Sequence, residues 1–376
     1  MPALRPDIDP DGLLEYSVVF TDRSLNHMSQ AFQQVMREIH GTLCEVYGAH
    51  RAVIVPGGGT YAMESVARQF ATDRTVLVIR NGFFSYRWSQ IFEAGEIPSG
   101  EIVMNAMRLG EGPQAPFAPC PIDFVVETIR DRRPEMVFAP HVETASGIIL
   151  PEDYVRTVAE AAHEVGALFV LDCVASGAVW VDMREAGVDV LISAPQKGWS
   201  APPSAGLVMM NEEALERAKA EQSTSFAMDL MKWNGIMEAY LNGGHAYHAT
   251  MPTDALRALH KAMRETEAFG FERVRVAQWA QGNAVRAMLA RRGVRSVAAE
   301  GFGAPGVVVS YTDDPEIQNG KKFAAQGLQI AAGVPLMVDE GSDYRSFRLG
   351  LFGLDKLKDV PASLERLEQA FDAVLG

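Results

Sequence analysis

Short apolar runs recur along the first part of the chain, and segments with helical or loop character separate them. Seven of these runs have the length and composition of buried β-strands. They lie at residues 52–55, 75–79, 101–104, 136–139, 167–171, 189–192 and 206–210. Strands that alternate with helices are typical of a mostly parallel sheet with helices on both faces. The pattern therefore predicts an α/β protein whose large domain has about seven mostly parallel strands between helices.

Apolar residues at helical spacing mark the helices that surround these strands. The first stripe is followed by Gly48, which we expect to end its helix. Its members are Met28, Phe32, Val35, Met36, Ile39, Leu43 and Val46. Two further helix faces are marked within residues 63–70 and 155–162.

The pattern changes after about residue 250, where longer helices precede the next strands. The predicted elements are two helices, two strands and a closing helix, at residues 254–269, 272–292, 307–311, 346–349 and 361–374. These elements indicate a compact α+β unit. We therefore expect three parts, namely an N-terminal arm over residues 1–22, a large domain over 23–255 and a small C-terminal domain over 256–376.

Composition narrows the class of protein. The chain of 376 residues is 48% apolar and 22% charged, which is ordinary for a globular protein. Its net charge of −14 argues against nucleic acid or an anionic membrane surface as the main partner. Three widely spaced cysteines without a CxxC pair indicate neither a disulfide framework nor a zinc site. Since no apolar signal core or membrane span is visible, we expect a cytoplasmic protein that binds small molecules.

A carboxylate and a lysine follow two successive predicted strands. Asp172 ends the run 167–171, and Lys197 lies 25 residues further on, in a loop of small residues. Chemistry with pyridoxal 5'-phosphate (PLP) needs such a pair, because a lysine forms the Schiff base and an aspartate keeps the pyridine nitrogen protonated. Each residue also has an ordinary interpretation, which is a helix cap or surface turn for Asp172 and a solvated side chain for Lys197.

Three further features bear on ligand binding. Glycines and a threonine at residues 57–60 follow a strand and open a helix, where backbone amides can bind a phosphate, although a plain tight turn is the alternative. Aromatic residues within 83–88 can stack on a planar ring or fill the core. Arg348 lies in an apolar strand and needs an anionic partner, which is either a substrate carboxylate or an internal salt bridge.

Taken together and in this order, the motifs resemble those of the class V aminotransferases of PLP fold type I, in particular the alanine–glyoxylate and serine–pyruvate or serine–glyoxylate branch. The motifs lie at residues 56–60, 81–85, 143–147, 172–176, 196–197, 201–206, 247–252 and 347–350. The resemblance covers about residues 22–376. It implies PLP as the cofactor.

The resemblance also implies roles for individual residues. Lys197 and Asp172 would be the catalytic pair, and Arg348 would bind the α-carboxylate of the amino donor and of the acceptor. Tyr247 and Thr250 would reach the partner's cofactor phosphate across an interface, which implies a homodimer with shared sites.

The remaining implied roles concern the cofactor. The phosphate would be held by residues of two loops, Gly58, Gly59, Thr60 and Gln196. Thr144 would bind the phenolic oxygen, while Phe84 and Val174 would pack on opposite faces of the ring.

The implied reaction is the transfer of an amino group from a small L-amino acid, such as alanine or serine, to glyoxylate or pyruvate by a ping-pong mechanism. An aminotransferase for an aminophosphonate is an open alternative, because Arg348 can equally face a phosphonate. A PLP lyase is another, although a desulfurase needs a late nucleophilic cysteine and no cysteine follows Cys173. A non-catalytic regulator of this fold is the third, and the intact Lys197 and Asp172 argue against it.

Overall fold

The computed structural model of the protein describes residues 5–17 and 22–375. Its strands are β1 Arg51–Pro56, β2 Thr75–Arg80, β3 Gly100–Asn105, β4 Met107–Arg108, β5 Phe117–Ala118, β6 Met136–Pro140, β7 Val142–Glu143, β8 Ile148–Ile149, β9 Leu168–Asp172, β10 Val190–Ser193, β11 Ala205–Met210, β12 Val307–Tyr311, β13 Ala331–Ala332 and β14 Ser346–Gly350. All seven strands predicted before residue 250 are therefore present.

The helices surround these strands along the chain. They are α1 Gln30–Tyr47, α2 Gly59–Phe70, α3 Phe83–Gly95, α4 Ile122–Arg132, α5 Glu152–Glu164, α6 Met183–Ala186, α7 Glu212–Ala220, α8 Leu230–Leu241, α9 Thr253–Phe269, α10 Phe271–Arg291, α11 Pro315–Gln318, α12 Lys321–Ala325, α13 Leu354–Leu357 and α14 Val360–Val374. Within the described ranges, no helix is both long and apolar enough to cross a membrane.

A seven-stranded sheet forms the centre of the molecule, in the order β1-β11-β10-β9-β6-β2-β3. β11 runs antiparallel to both of its neighbours, and the other four strand pairs are parallel. Every residue of β6, β9, β10 and β11 is buried, as expected for strands covered on both faces. The predicted α/β fold class is confirmed. Because β6, β9 and β10 are parallel, the residues that follow them meet at one edge of the sheet.

The first helix illustrates how local chemistry sets an element. The Ser29 side chain accepts a hydrogen bond from the Phe32 amide at 3.1 Å and caps the N-terminus of α1. Gly48 ends α1 with φ of 62°, in the left-handed region that glycine adopts at low cost. Met28 of the predicted stripe precedes the helix, and Val46 packs against the core although it is only half-buried. Tyr47 is the buried residue instead, because it lies one helical turn after Leu43.

A second, antiparallel sheet forms in the C-terminal part of the chain, in the order β12-β14-β13. α10 and α14 pack on each other beside it. α9 packs against α1, and its buried residues Leu256, Leu259 and Met263 belong to the same core as the central sheet. The domain boundary after residue 255 stays a prediction. The predicted arm lies partly outside the described residues.

Candidate active site

One cavity of about 360 Å³ lies between the carboxyl edge of the central sheet and the strands β13 and β14. It is lined by nine of the twelve residues that the motifs single out, namely Gly59, Thr60, Phe84, Thr144, Asp172, Val174, Gln196, Lys197 and Arg348. Gly58 immediately precedes them as the N-cap of α2. The structure thus brings together residues that are almost 290 positions apart in the chain.

Asp172 is the last residue of β9, and its carboxylate is buried at the edge of the sheet. One carboxylate oxygen accepts a hydrogen bond from the Val174 amide at 2.9 Å. Burial raises the pKa of Asp172 to about 7, and the nearby charge of Glu143 adds to the increase. A cation close to Asp172 would restore its ionised form.

Lys197 lies in the loop between β10 and β11, at the same edge of the sheet. Its amine makes no hydrogen bond or ion pair with any described residue, and it lies 5.2 Å from the centre of the Phe352 ring. Burial lowers the pKa of Lys197, and the positive charge of Arg348 lowers it further. A side chain at Gly198 would come within 1.9 Å of the Gly177 carbonyl oxygen, so glycine allows this loop to approach the turn after β9.

The N-terminus of α2 lies beside the same turn. Gly58 caps α2 without a side-chain hydrogen bond, which leaves the first amides of the helix for another acceptor. A Cβ at Gly59 would lie 2.9 Å from a methyl group of Val174, whereas a Cβ at Gly58 would meet nothing within 4 Å. Packing within the chain therefore explains the glycine at 59 but not the one at 58.

A buried glutamate that sequence reasoning did not select holds two of the cavity loops together. The Glu143 carboxylate accepts hydrogen bonds from the amides of Phe84 at 3.2 Å, Ser85 at 2.8 Å and Ala145 at 2.9 Å, and from the Ser85 hydroxyl at 2.7 Å. A Cβ at Gly82 would lie 2.7 Å from the Glu143 side chain. These bonds position Phe84 on one loop relative to Thr144 on the other.

Arg348 extends from β14 toward the large sheet. Its Nε donates a hydrogen bond to the Ala332 carbonyl oxygen at 2.8 Å, and its guanidinium lies 5.5 Å from the centre of the Phe84 ring. It forms no ion pair with an acidic residue of the described chain. Burial lowers the pKa of Arg348. The internal salt bridge that was one of the two interpretations of Arg348 is therefore not formed among the described residues.

Two predicted residues lie elsewhere. The hydroxyls of Tyr247 and Thr250 are 3.2 Å apart, and Tyr247 is 57% exposed on the surface. They are not part of the lining of the cavity in their own protomer. Their service to a partner's site stays a prediction.

Among the lining residues that sequence reasoning did not select, Arg87 and Phe352 lie beside predicted site residues. Arg87 follows Phe84 by three positions on α3, a spacing that places both side chains on one helix face. That spacing is a usable signal. Phe352 is close to Lys197 only through tertiary packing, and the sequence carries no comparable signal for it.

The comparisons with known proteins agree with this architecture. The structure of alanine–glyoxylate aminotransferase from Nostoc sp. superposes with a TM-score of 0.79 over 94% of this chain and 89% of that one, at 21% identity. The fold is therefore that of the aminotransferases with a large central sheet. The model of the family "Aminotransferase class-V" matches residues 13–300, and the chain belongs to that family. The membership inferred from the motifs is confirmed.

Curated relatives with different names match nearly the whole chain. A 2-aminoethylphosphonate–pyruvate transaminase of Paraburkholderia phymatum is 28% identical over 92% of this chain and 89% of its own length. A soluble hydrogenase small subunit of Synechococcus sp. is 26% identical over 92% of this chain and 86% of its own.

Proposed function

We propose that this aminotransferase uses PLP to move an amino group from a small L-amino acid, of the alanine or serine type, to a small 2-oxo acid such as glyoxylate or pyruvate. The proposal is supported by three side chains, Asp172, Lys197 and Arg348, that line one cavity. Within the described residues, none of them forms an ion pair. Asp172 is buried, whereas Lys197 and Arg348 are half-buried, and a charge removed from water without a partner is costly, so each side chain is suited to a ligand group.

The residues present fit PLP. A protonated pyridine nitrogen would add a cation beside the buried Asp172 carboxylate, whose pKa stays raised although the charge of Arg87 lowers it in part. The first amides of α2, which receive no side-chain cap from Gly58, are suited to a phosphate. The Lys197 amine is suited to the aldehyde of PLP. Gly59, Thr60 and Gln196 would complete the phosphate site, with Thr144 at the phenolic oxygen and Phe84 and Val174 on the two ring faces.

When bound, PLP supplies an electron sink that weakens the bond between the substrate Cα and its hydrogen. Lys197, whose pKa is lowered by burial, would then accept the proton from the substrate Cα and deliver it to C4′ of the cofactor. Arg348 would bind the substrate carboxylate with its planar guanidinium and so orient Cα toward Lys197. Asp172 would hold the proton on the ring nitrogen.

The exposed pair of Tyr247 and Thr250 would serve the cofactor of a second copy in a homodimer. The cytoplasm remains the expected location.

Release of 2-oxo acid from candidate amino donors tests the proposed function. Loaded enzyme without acceptor should release one equivalent of pyruvate from alanine, or of hydroxypyruvate from serine, and glyoxylate should then restart turnover. Release from neither amino acid would contradict the proposal. The relatives named as 2-aminoethylphosphonate transaminases favour one alternative donor, so 2-aminoethylphosphonate is included. Turnover with it and not with alanine or serine would assign the aminophosphonate activity.

A further inference from the structure

Arg87 is a second cation of the cavity, and the functions assigned so far leave it unused. One guanidinium nitrogen donates a hydrogen bond to the Thr60 hydroxyl at 2.9 Å, and the guanidinium carbon lies 5.3 Å from the centre of the Phe84 ring. Arg87 forms no ion pair with a carboxylate of the described chain. Most of its five N–H donors are therefore available to a ligand.

Arg87 and Arg348 are held in the cavity wall by different elements. Both guanidinium groups flank the Phe84 ring, at 5.3 Å and 5.5 Å from its centre. Arg87 is bonded to Thr60 on α2, whereas Arg348 is bonded to the Ala332 carbonyl oxygen on β13. The two guanidinium groups beside Phe84 are therefore fixed by different elements, and the guanidinium of Arg87 is the one fixed at the start of α2.

The charge of the lining supports an anionic ligand. Its charged residues are three cations and one carboxylate, namely Arg87, Lys197, Arg348 and Asp172. This local excess of positive charge occurs in a chain whose net charge is −14. A guanidinium binds phosphate through two parallel hydrogen bonds, which a single neutral hydroxyl cannot provide.

We propose that Arg87 binds the phosphate of PLP directly, with Thr60 as the neighbour that orients its guanidinium. The inference rests on the proposed function, because it requires that the cavity bind PLP. It assigns the two arginines separate tasks, Arg87 on the cofactor phosphate and Arg348 on the substrate carboxylate.

Equilibrium binding to the apoprotein tests the assignment without relying on activity. Dissociation constants are measured for PLP and for pyridoxal, which has the same ring and aldehyde but no phosphate. Arg87→Gln should raise the dissociation constant of PLP by about tenfold to hundredfold and leave that of pyridoxal unchanged. Arg87→Lys should lie between the parent and Arg87→Gln, because it keeps the charge but loses the planar fork. Inorganic phosphate should compete with PLP in the parent and less so in Arg87→Gln.

Arg345→Gln is the control, since that guanidinium donates to the Asp313 carbonyl oxygen at an exposed position outside the cavity lining and its removal should leave both dissociation constants unchanged. Equal weakening of PLP and pyridoxal by Arg87→Gln would overturn the proposal, because it would indicate general damage to the cavity. An unchanged affinity for PLP, with a raised KM for 2-aminoethylphosphonate, would overturn it in favour of a substrate role. A parent protein that binds no PLP would overturn the proposed function as well, a result distinct from the other two.

Discussion

The amine of Lys197 lies 5.2 Å from the centre of the Phe352 ring, over its aromatic face. Phe352 follows β14, and Gly306 makes room for it, since a Cβ there would lie 2.8 Å from the ring. An aromatic face stabilises an ammonium group, whereas the nearby Arg348 destabilises it. The two neighbours therefore act on the pKa of Lys197 in opposite directions.

Substitutions of these neighbours should shift the pKa of Lys197 with opposite signs in the apoprotein. Phe352→Leu should lower it, because the aromatic face that stabilises the ammonium form is lost. Arg348→Gln should raise it, because a like charge is removed. Competitive acylation as a function of pH, followed by mass spectrometry, reports the pKa, with the exposed Lys219 as internal standard. Shifts of the same sign would contradict this account.

Loss of the Lys197 amine should abolish covalent capture of the cofactor. Lys197→Ala should fold, because the side chain has no partner within the described chain, but borohydride should trap no bond between protein and PLP. Turnover should also be lost. Lys219→Ala is the control, since that lysine pairs with Glu216 on an exposed helix face and should retain trapping. Normal turnover by Lys197→Ala would end the assignment.

The raised pKa of Asp172 should appear as a pH-dependent difference in apoprotein stability. The folded state binds the proton of the Asp172 carboxyl more tightly than the unfolded chain does. Ionisation of Asp172 therefore lowers the free energy of unfolding as the pH rises from the ordinary pKa of an aspartate to about 7. Asp172→Asn removes that titration. Between pH of about 6 and about 7.5, the variant should gain about 1 kcal/mol relative to the parent.

Urea unfolding of both apoproteins at the two pH values measures this gain. A difference in unfolding free energy that does not change with pH would show that Asp172 titrates outside this range.

Mixed dimers test whether Tyr247 and Thr250 act on the partner's site. One inactive protein carries Lys197→Ala, and the other carries Tyr247→Phe with Thr250→Ala. In a mixed dimer, the protomer with intact Lys197 receives intact Tyr247 and Thr250 from its partner. Random mixing by unfolding and refolding should therefore restore about one quarter of the parental sites, as two-fold symmetry requires.

Each inactive protein refolded alone is the control and should stay at its own low activity. No recovery in the mixture would contradict their service to the partner's site, and a fully active monomer in sedimentation would exclude the shared site.

Removal of the Arg348 guanidinium should impair use of carboxylate substrates. Arg348→Ala should lower kcat/KM by at least about tenfold to hundredfold, because a charge-assisted bidentate contact is lost. Arg348→Lys should also be impaired, since it cannot form the planar fork. Steady-state kinetics with the best donor measures both effects. Arg345→Ala is the control, because that guanidinium donates to the Asp313 carbonyl oxygen at an exposed position. Normal transamination by Arg348→Ala would contradict the assignment.

Much of the architecture could be predicted from the sequence. Continuous apolar runs predicted the strands of the central sheet, because strands buried on both faces contain few polar residues. Gly48 predicted the end of α1, because a left-handed residue there favours glycine. Asp172 and Lys197 could be paired because each follows a strand of a parallel sheet, and such ends share one edge.

Only the tertiary structure decided the rest. The insertion of β11 antiparallel between β1 and β10 depends on pairing strands that are far apart in the chain. In the sequence, Glu143 looks like part of a polar turn, and its hydrogen bonds to α3 form only in the folded structure. Phe352 lies near Lys197 only because β14 packs beside the large sheet. Periodicity and local chemistry specify elements and their ends, whereas contacts between distant residues depend on how all the elements pack.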